Sequence, residues 1–188
     1  MTLKTLFGTQ SDKIEFYSNE AELSPEGVQY ADMDMFYWHL VDPHWALKGG
    51  ANYFYRPTSS TPYWQPGVGV EGTTPVYPLD TNVRVYLHES SVKLDAEFIH
   101  DFDITDKFFI KGSIRGILAT SSVPDDQIGN GLNQMRYFVR PSYRLTKELN
   151  LFVEYEYLQD YGSTANFREE EDEEAIENLV LFGLAVDF

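Results

Sequence analysis

Four histidines and a set of closely spaced carboxylates are the residues of this 188-residue chain whose types and spacing could do chemistry. His39, His44, His88 and His100 offer imidazole nitrogens, and Asp32 and Asp34 stand two residues apart. On a strand, a spacing of two puts both carboxylates on one side. Asp95 with Glu97 and Glu154 with Glu156 repeat the spacing. Imidazole and carboxylate together suit a divalent transition metal. The chain has no cysteine, so thiolate metal sites and disulfides are excluded. The formal charge of −16 argues against nucleic acid as a partner.

Those side chains need a scaffold, and the pattern around them has a period of two. Counting back from the end, Phe188, Val186, Leu184, Phe182 and Val180 form one set; Asp187, Ala185, Gly183, Leu181 and Leu179 form the other. One side is large and apolar, the other small and mixed, as in a strand with lipid on one face and a packed lumen on the other. Ten strand-like segments follow this rule, roughly 3–17, 28–41, 45–56, 62–73, 76–88, 91–103, 107–119, 131–145, 149–160 and 175–188. No segment has a helical period. Connections at 42–44, 73–76, 103–106 and 146–148 are short. Those at 18–27, 119–131 and 159–174 are long, and 57–61 and 89–90 fall on their side. Short turns alternating with long loops predict an all-β fold: a closed antiparallel transmembrane β-barrel of ten strands, one domain over 1–188. Its short turns are periplasmic, its longer loops extracellular and both termini on the short-turn side. A soluble sandwich has no reason to sort its loops this way.

Parity then separates two faces. Met33, Met35 and Tyr37, Ile110 and Ile114, and Leu151, Val153 and Tyr155 fall on the lipid side. Aromatic residues gather towards both ends, as an interfacial belt requires. The opposite face collects Lys13, Lys48, Arg56, Arg84, Lys93, Lys111, Arg115, Arg136, Arg140 and Arg144. Against them stand Glu15, Asp32, Asp34, Glu71, Asp80, Asp95, Glu97, Asp101, Glu154 and Glu156. Buried charge is tolerated when paired, so this even balance predicts a lumen crossed by ion pairs. Phe54, Tyr86, Phe138 and Phe152 share that space, which makes the lumen charged and largely plugged. With 14 basic and 30 acidic residues in all, the excess negative charge belongs to loops, turns and strand ends, notably the run Glu169–Glu174. No apolar run is long enough for a spanning helix. The opening residues carry no signal-peptide pattern, so an exported protein is expected here in mature or trimmed form.

Several stretches carry a resemblance. Asp12-Lys-Ile-Glu-Phe-Tyr, Tyr30-Ala-Asp-Met-Asp-Met-Phe-Tyr37 and Pro43-His-Trp-Ala-Leu-Lys-Gly-Gly-Ala-Asn-Tyr-Phe-Tyr-Arg-Pro57 come first. Gly69-Val-Glu-Gly72, Gly129-Asn-Gly-Leu132, Tyr137-Phe-Val-Arg-Pro-Ser-Tyr-Arg144 and Tyr161-Gly-Ser-Thr-Ala165 follow, with the terminal Phe188. In collinear order these resemble the bacterial copper-resistance outer-membrane protein B family (CopB/PcoB-like). The resemblance implies a barrel of the bacterial outer membrane that takes part in copper resistance. It would bind copper ions or move them across that membrane, without enzymatic chemistry. Outer-membrane lipid and lipopolysaccharide, copper and periplasmic copper-binding proteins are the implied partners of a monomer. Members commonly carry a Met/His-rich N-terminal extension, which these residues do not include.

Copper(I) prefers Met and Cys, and copper(II) prefers His and carboxylate. Met33, Met35 and Met135 have lipid-side parity and read as apolar surface. His39, His44 and His100 fall near the short-turn rim: a periplasmic metal-collecting site on one reading, interfacial polar residues on the plainer one. His88 has luminal parity beside Glu89 and is the best inward ligand candidate, with a hydrogen-bonded luminal histidine as its plainer reading. Asp32 and Asp34 could coordinate a cation or serve as counterions to luminal arginines. Two other functions stay open. An outer-membrane enzyme could use His88 with Asp160 or Glu89 at the extracellular rim, and a passive barrel would fill its lumen only for stability.

Overall fold

In the computed structural model the described residues are 3–24, 27–55, 63–75, 77–88, 90–124, 127–170 and 174–186. Eleven strands form one antiparallel sheet in strict chain order. They are β1 (Leu3–Gly8), β2 (Asp12–Ser24), β3 (Gly27–Leu40), β4 (Trp45–Tyr55), β5 (Tyr63–Thr73) and β6 (Leu79–His88). β7 (Ser91–Asp103), β8 (Phe108–Ala119), β9 (Gly131–Arg144) and β10 (Leu149–Asp160) follow. A short helix, α1 (Gly162–Glu170), then precedes β11 (Ile176–Val186). Period-two alternation builds this meander, and each short turn is locked by a side-chain oxygen that mimics a backbone acceptor. Asp42 accepts from the Trp45 amide at 3.0 Å, Thr105 from Phe108 at 2.9 Å and Thr146 from Leu149 at 3.1 Å.

Three expectations about the ends and loops are corrected. The segment expected as one strand over 3–17 folds back on itself as β1 and β2. Gly8, at φ 146°, enters the turn, and Thr9 Oγ1 accepts from the Asp12 amide at 3.1 Å. The extra strand moves the start of the chain. β1 runs towards the short-turn end from Leu3, which pairs with Ser18 halfway along β2, whereas β11 ends at the short-turn end, where Val186 pairs with Leu149. The stretch 18–27 is mostly ladder rather than loop: register shifts at Ser18/Glu20 and Glu22/Leu23 absorb its broken alternation. A third difference is α1, which occupies the expected loop at 159–174. The helix hangs on tertiary bonds: Thr164 Oγ1 donates to Asn133 Oδ1 at 2.9 Å and accepts from the Gly129 amide at 2.9 Å.

The two faces separate as parity predicts. Met35, Tyr37, Leu47, Ile114, Val139, Leu151 and Phe182 are exposed on one face. Phe36, Phe54, Tyr86, Lys48, Arg84 and Asp95 are buried on the other. The sheet curls around that second face until β3 meets β6, with the Phe36 and Tyr86 ring centroids 6.1 Å apart edge to face. Gly67 makes the approach possible, because a Cβ there would lie 2.8 Å from Tyr86 Cδ1 and 3.2 Å from Phe36 Cζ. Towards β11 the curl opens. Leu179 and Leu181, on the inner face, are exposed, and among the described residues no strand pairs with the outer edge of β1 or of β11. Arg56, Glu89 and Phe188, expected on the inner wall, at the outer rim and at the chain end, lie outside the described residues.

Candidate functional site

The inner face carries three polar layers, stacked from the short-turn end to the long-loop end. At the short-turn end a cavity of about 480 Å³ opens between β2, β3, β5, β6 and β7, lined by Glu15, Trp38, His44, Glu71, Asp80, Asn82 and Glu97 among others. Strand parity delivers these acids to one space, since Glu15, Glu71, Asp80 and Glu97 all fall on the inner face. Lys48 lies between two of them, 2.9 Å from Glu15 Oε1 and in an ion pair with Glu71, with its ammonium 5.5 Å from the Trp38 ring centroid. Asp80 accepts from the Thr73 hydroxyl, and Glu97 from the Ser113 hydroxyl at 3.0 Å. Around one lysine the wall is therefore acidic. Trp38 Nε1 and Asn82 Oδ1 are buried there without a hydrogen-bond partner among the described residues. A polar space of this size has room for water, and for a hydrated cation.

Above the cavity lies a dense ionic cluster. Arg84 spans the interior, donating from Nη1 to Asp34 Oδ2 at 2.5 Å and from Nη2 to Asp95 Oδ2 at 2.8 Å. Arg115 grips Asp95 from the other side, Nε to Oδ1 at 2.8 Å and Nη2 to Oδ2 at 2.7 Å. The Tyr86 hydroxyl donates to Asp34 Oδ1 at 3.0 Å, and Asn52 Nδ2 donates to Asp32 and to Asp34. Arg84 is 2% exposed and the Asp34 side chain is fully buried. This cross-bridge ties β3, β6, β7 and β8 together across the interior. The third layer, towards the long loops, holds Asn52, Gln65 and His88, all buried.

The candidate residues are thus dispersed. Asp32 and Asp34 point inward as expected and serve as partners for Asn52, and Asp34 as the counterion of Arg84. His88 is inward and buried, hydrogen-bonding or otherwise engaged, in the layer beyond the bridge. The other three histidines gather at the short-turn end without converging. His39 lies on the outer face, its Nδ1 2.8 Å from Asp12 Oδ1. His100 donates from Nδ1 to the Pro78 carbonyl at 2.8 Å and stacks on Tyr77 with centroids 4.3 Å apart. His44, in the β3–β4 turn, lines the acidic cavity. Among the described residues no three His, Asp or Glu side chains sit in metal-binding geometry. Asp160, a possible partner for His88 at the outer rim, is instead held by Arg168 at 3.0 Å and by Gln134 at 2.9 Å. Residue types alone did not single out Phe36, Trp38, Gln65 and Asn82; the only available signal was inner-face parity shared with Lys48 and Arg84.

Comparison with known proteins gives three findings. Residues 2–188 match the family described as copper resistance protein B precursor (CopB). Curated relatives include a copper resistance protein B homolog of Pseudomonas syringae pv. tomato, 23% identical over 90% of this chain. They also include a copper resistance protein B of Escherichia coli, 21% identical over 100% of it. The chain spans 57% and 62% of their respective lengths. Among solved structures, a NanC porin superposes with a TM-score of 0.60 at 14% identity, covering 100% of this chain and 92% of that one.

Proposed function

The chain belongs to the copper resistance protein B family, and from that premise we propose that it is an outer-membrane β-barrel that collects copper at its periplasmic end and admits it to a closed lumen. The observation that carries this reading is the acidic cavity at the short-turn end, with His44 and four carboxylates in its wall, two of them paired to Lys48. Carboxylate and imidazole are the donor types copper(II) takes. Among the described residues no three of these side chains sit in metal-binding geometry, so on this reading copper is cargo held weakly here rather than a resident ion. Weak, multiple sites are what passage demands.

Insertion in the membrane is supported by the apolar outer face, with strands mostly 10–14 residues long against the 9–11 that a tilted spanning strand needs. Closure completes the barrel. β1 and β11 run in the same direction, so pairing them directly would make a parallel seam. β2 against β11 gives an antiparallel seam and an even count of ten strands, with β1 displaced. Periplasmic copper-binding proteins would deliver to the short-turn end, and lipopolysaccharide would face the long loops. No covalent step belongs to this reading. The test is copper(II) flux into liposomes carrying the protein, compared with empty liposomes and with His44→Ala, Glu97→Gln and His88→Ala. Flux above the empty control that falls in the first two variants is expected. Flux equal to empty liposomes, with no copper retained by the protein, would overturn the reading.

A further inference from the structure

We propose that the Arg84 guanidinium is a tethered cation occupying a hard-cation site in the lumen, and that this side chain is what keeps the barrel shut. The inference rests on the reading of the inner face as the lumen of a closed barrel, and deepens it by naming the plug.

Two carboxylates from two strands hold the guanidinium, Asp34 on β3 and Asp95 on β7, and next to Asp34, on the long-loop side, lie two buried amides, Asn52 on β4 and its cross-strand partner Gln65 on β5. The two carboxylates reach Arg84 from opposite sides, at 2.5 Å and 2.8 Å. Their approach across several strands depends on the positive charge between them, because two buried carboxylates without it would repel. The two amides point to a ligand independently of those acids. Asn52 and Gln65 are cross-strand partners, and each is 1% exposed. Asn52 uses its Nδ2 on Asp32 and Asp34, leaving Oδ1 without a partner. Gln65 leaves both Oε1 and Nε2 without one among the described residues. Buried amides are normally satisfied, so the unsatisfied oxygens of Asn52 and Gln65, next to Asp34, mark a place built for something that accepts oxygen ligands. An all-oxygen donor set selects hydrated hard cations, such as potassium, calcium or magnesium, over soft ones.

The bridge separates the acidic cavity on the short-turn side from the Gln65 layer on the long-loop side. Arg84 fills the gap with its own charge, so a mobile cation can pass only when the side chain swings away from Asp34 and Asp95. Phe36 and Tyr86 pack beside the same gap and leave little room around the guanidinium.

The experiment is conductance in planar bilayers with potassium chloride, then with calcium chloride, for the parent, Arg84→Gln, and Arg84→Gln with Asp34→Asn. Arg140→Gln, on the open wall of β9, is the control. Folding is read from heat-modifiable gel mobility and circular dichroism. Arg84→Gln should raise conductance at least about tenfold with a preference for cations, since uncovered acids favour them. The double variant should stay open but lose most of that preference, and Arg140→Gln should match the parent. A folded Arg84→Gln as closed as the parent overturns the inference, as does an equal gain in Arg140→Gln. Should Arg84→Gln fail to fold, the double variant, which removes a matched pair of charges, decides: folded and closed, it overturns the inference too. Copper flux through the parent with no gain in Arg84→Gln would sink the plug and leave the proposed function standing. A gain in Arg84→Gln without any copper flux would do the reverse.

Discussion

Replacing Asp95 with Asn should cost far more than replacing Arg140 with Gln, although each change removes a single charged side chain. Asp95 accepts three charge-assisted bonds, one from Arg84 and two from Arg115, all between 2.7 and 2.8 Å, and its side chain is 3% exposed. The amide keeps one acceptor and turns a donor towards guanidinium hydrogens. Arg84 retains Asp34, so Arg115 is the charge left short. Breaking a buried pair from one side costs about 3–5 kcal/mol; Glu97, its register partner, supplies some relief, which puts the loss near about 3 kcal/mol. Arg140 meets Glu154 at 2.6 Å but is 30% exposed, so water takes over much of the lost interaction and about 1 kcal/mol is expected. Urea unfolding in detergent micelles, followed by tryptophan fluorescence, measures both. With a slope of about 2–3 kcal/mol per molar, Asp95→Asn shifts the midpoint by about 1 M or more and Arg140→Gln by less than half of that. Equal shifts would refute the separation of a sealed centre from an open wall.

The same assay tests the packing under the bridge. Gly67→Ala must displace the Tyr86 or Phe36 ring and should cost about 1–3 kcal/mol, whereas Gly49→Ala, with nothing within 4 Å of its Cβ, should be nearly neutral. Ile114, exposed in the middle of β8, should tolerate Arg badly in lipid: about 2–4 kcal/mol lost on unfolding from vesicles, and no loss would mean that this face meets water. Since the chain has no cysteine, a single cysteine at Phe16 of β2, paired in turn with cysteines from Val180 to Leu184 of β11, can report the seam by oxidative cross-linking. Efficient bridging supports closure of β2 on β11; bridging from Thr5 of β1 instead would refute it.

Most of the fold was legible because a strand exposes its faces through a period of two. Met35, Leu47, Ile114 and Leu151 could be placed outside, and Lys48, Arg84 and Asp95 inside, from alternation alone, and the structure agrees. The chain start was not legible. A glycine turn at Gly8 looks like one residue in a continuing strand unless its positive φ is seen, and that one turn reverses the direction of the first strand. Helix α1 was missed for a different reason. Its nine residues have no apolar stripe, and it exists through Thr164 docking on Asn133 and Arg168 on Asp160, contacts that no local pattern announces.

The site was legible only as a population of inward side chains. Parity says that Asp34 and Arg84 both face the interior, but they are fifty residues apart in the chain, and their meeting depends on how tightly the sheet curls between β3 and β6. That curl depends in turn on small residues such as Gly67, which let Tyr86 and Phe36 approach. Histidine drew attention because of its ligand chemistry, yet three of the four histidines are spread around the short-turn end and the fourth lies beyond the bridge. The acids behave differently. Glu15, Glu71, Asp80 and Glu97 converge on one cavity because four strands bring the same parity to the same end of the sheet. In a barrel-like sheet, then, height along the strands combined with parity predicts a site better than ligand type does. Reading both would have placed the acidic cavity below Arg84 and the unsatisfied Gln65 above it.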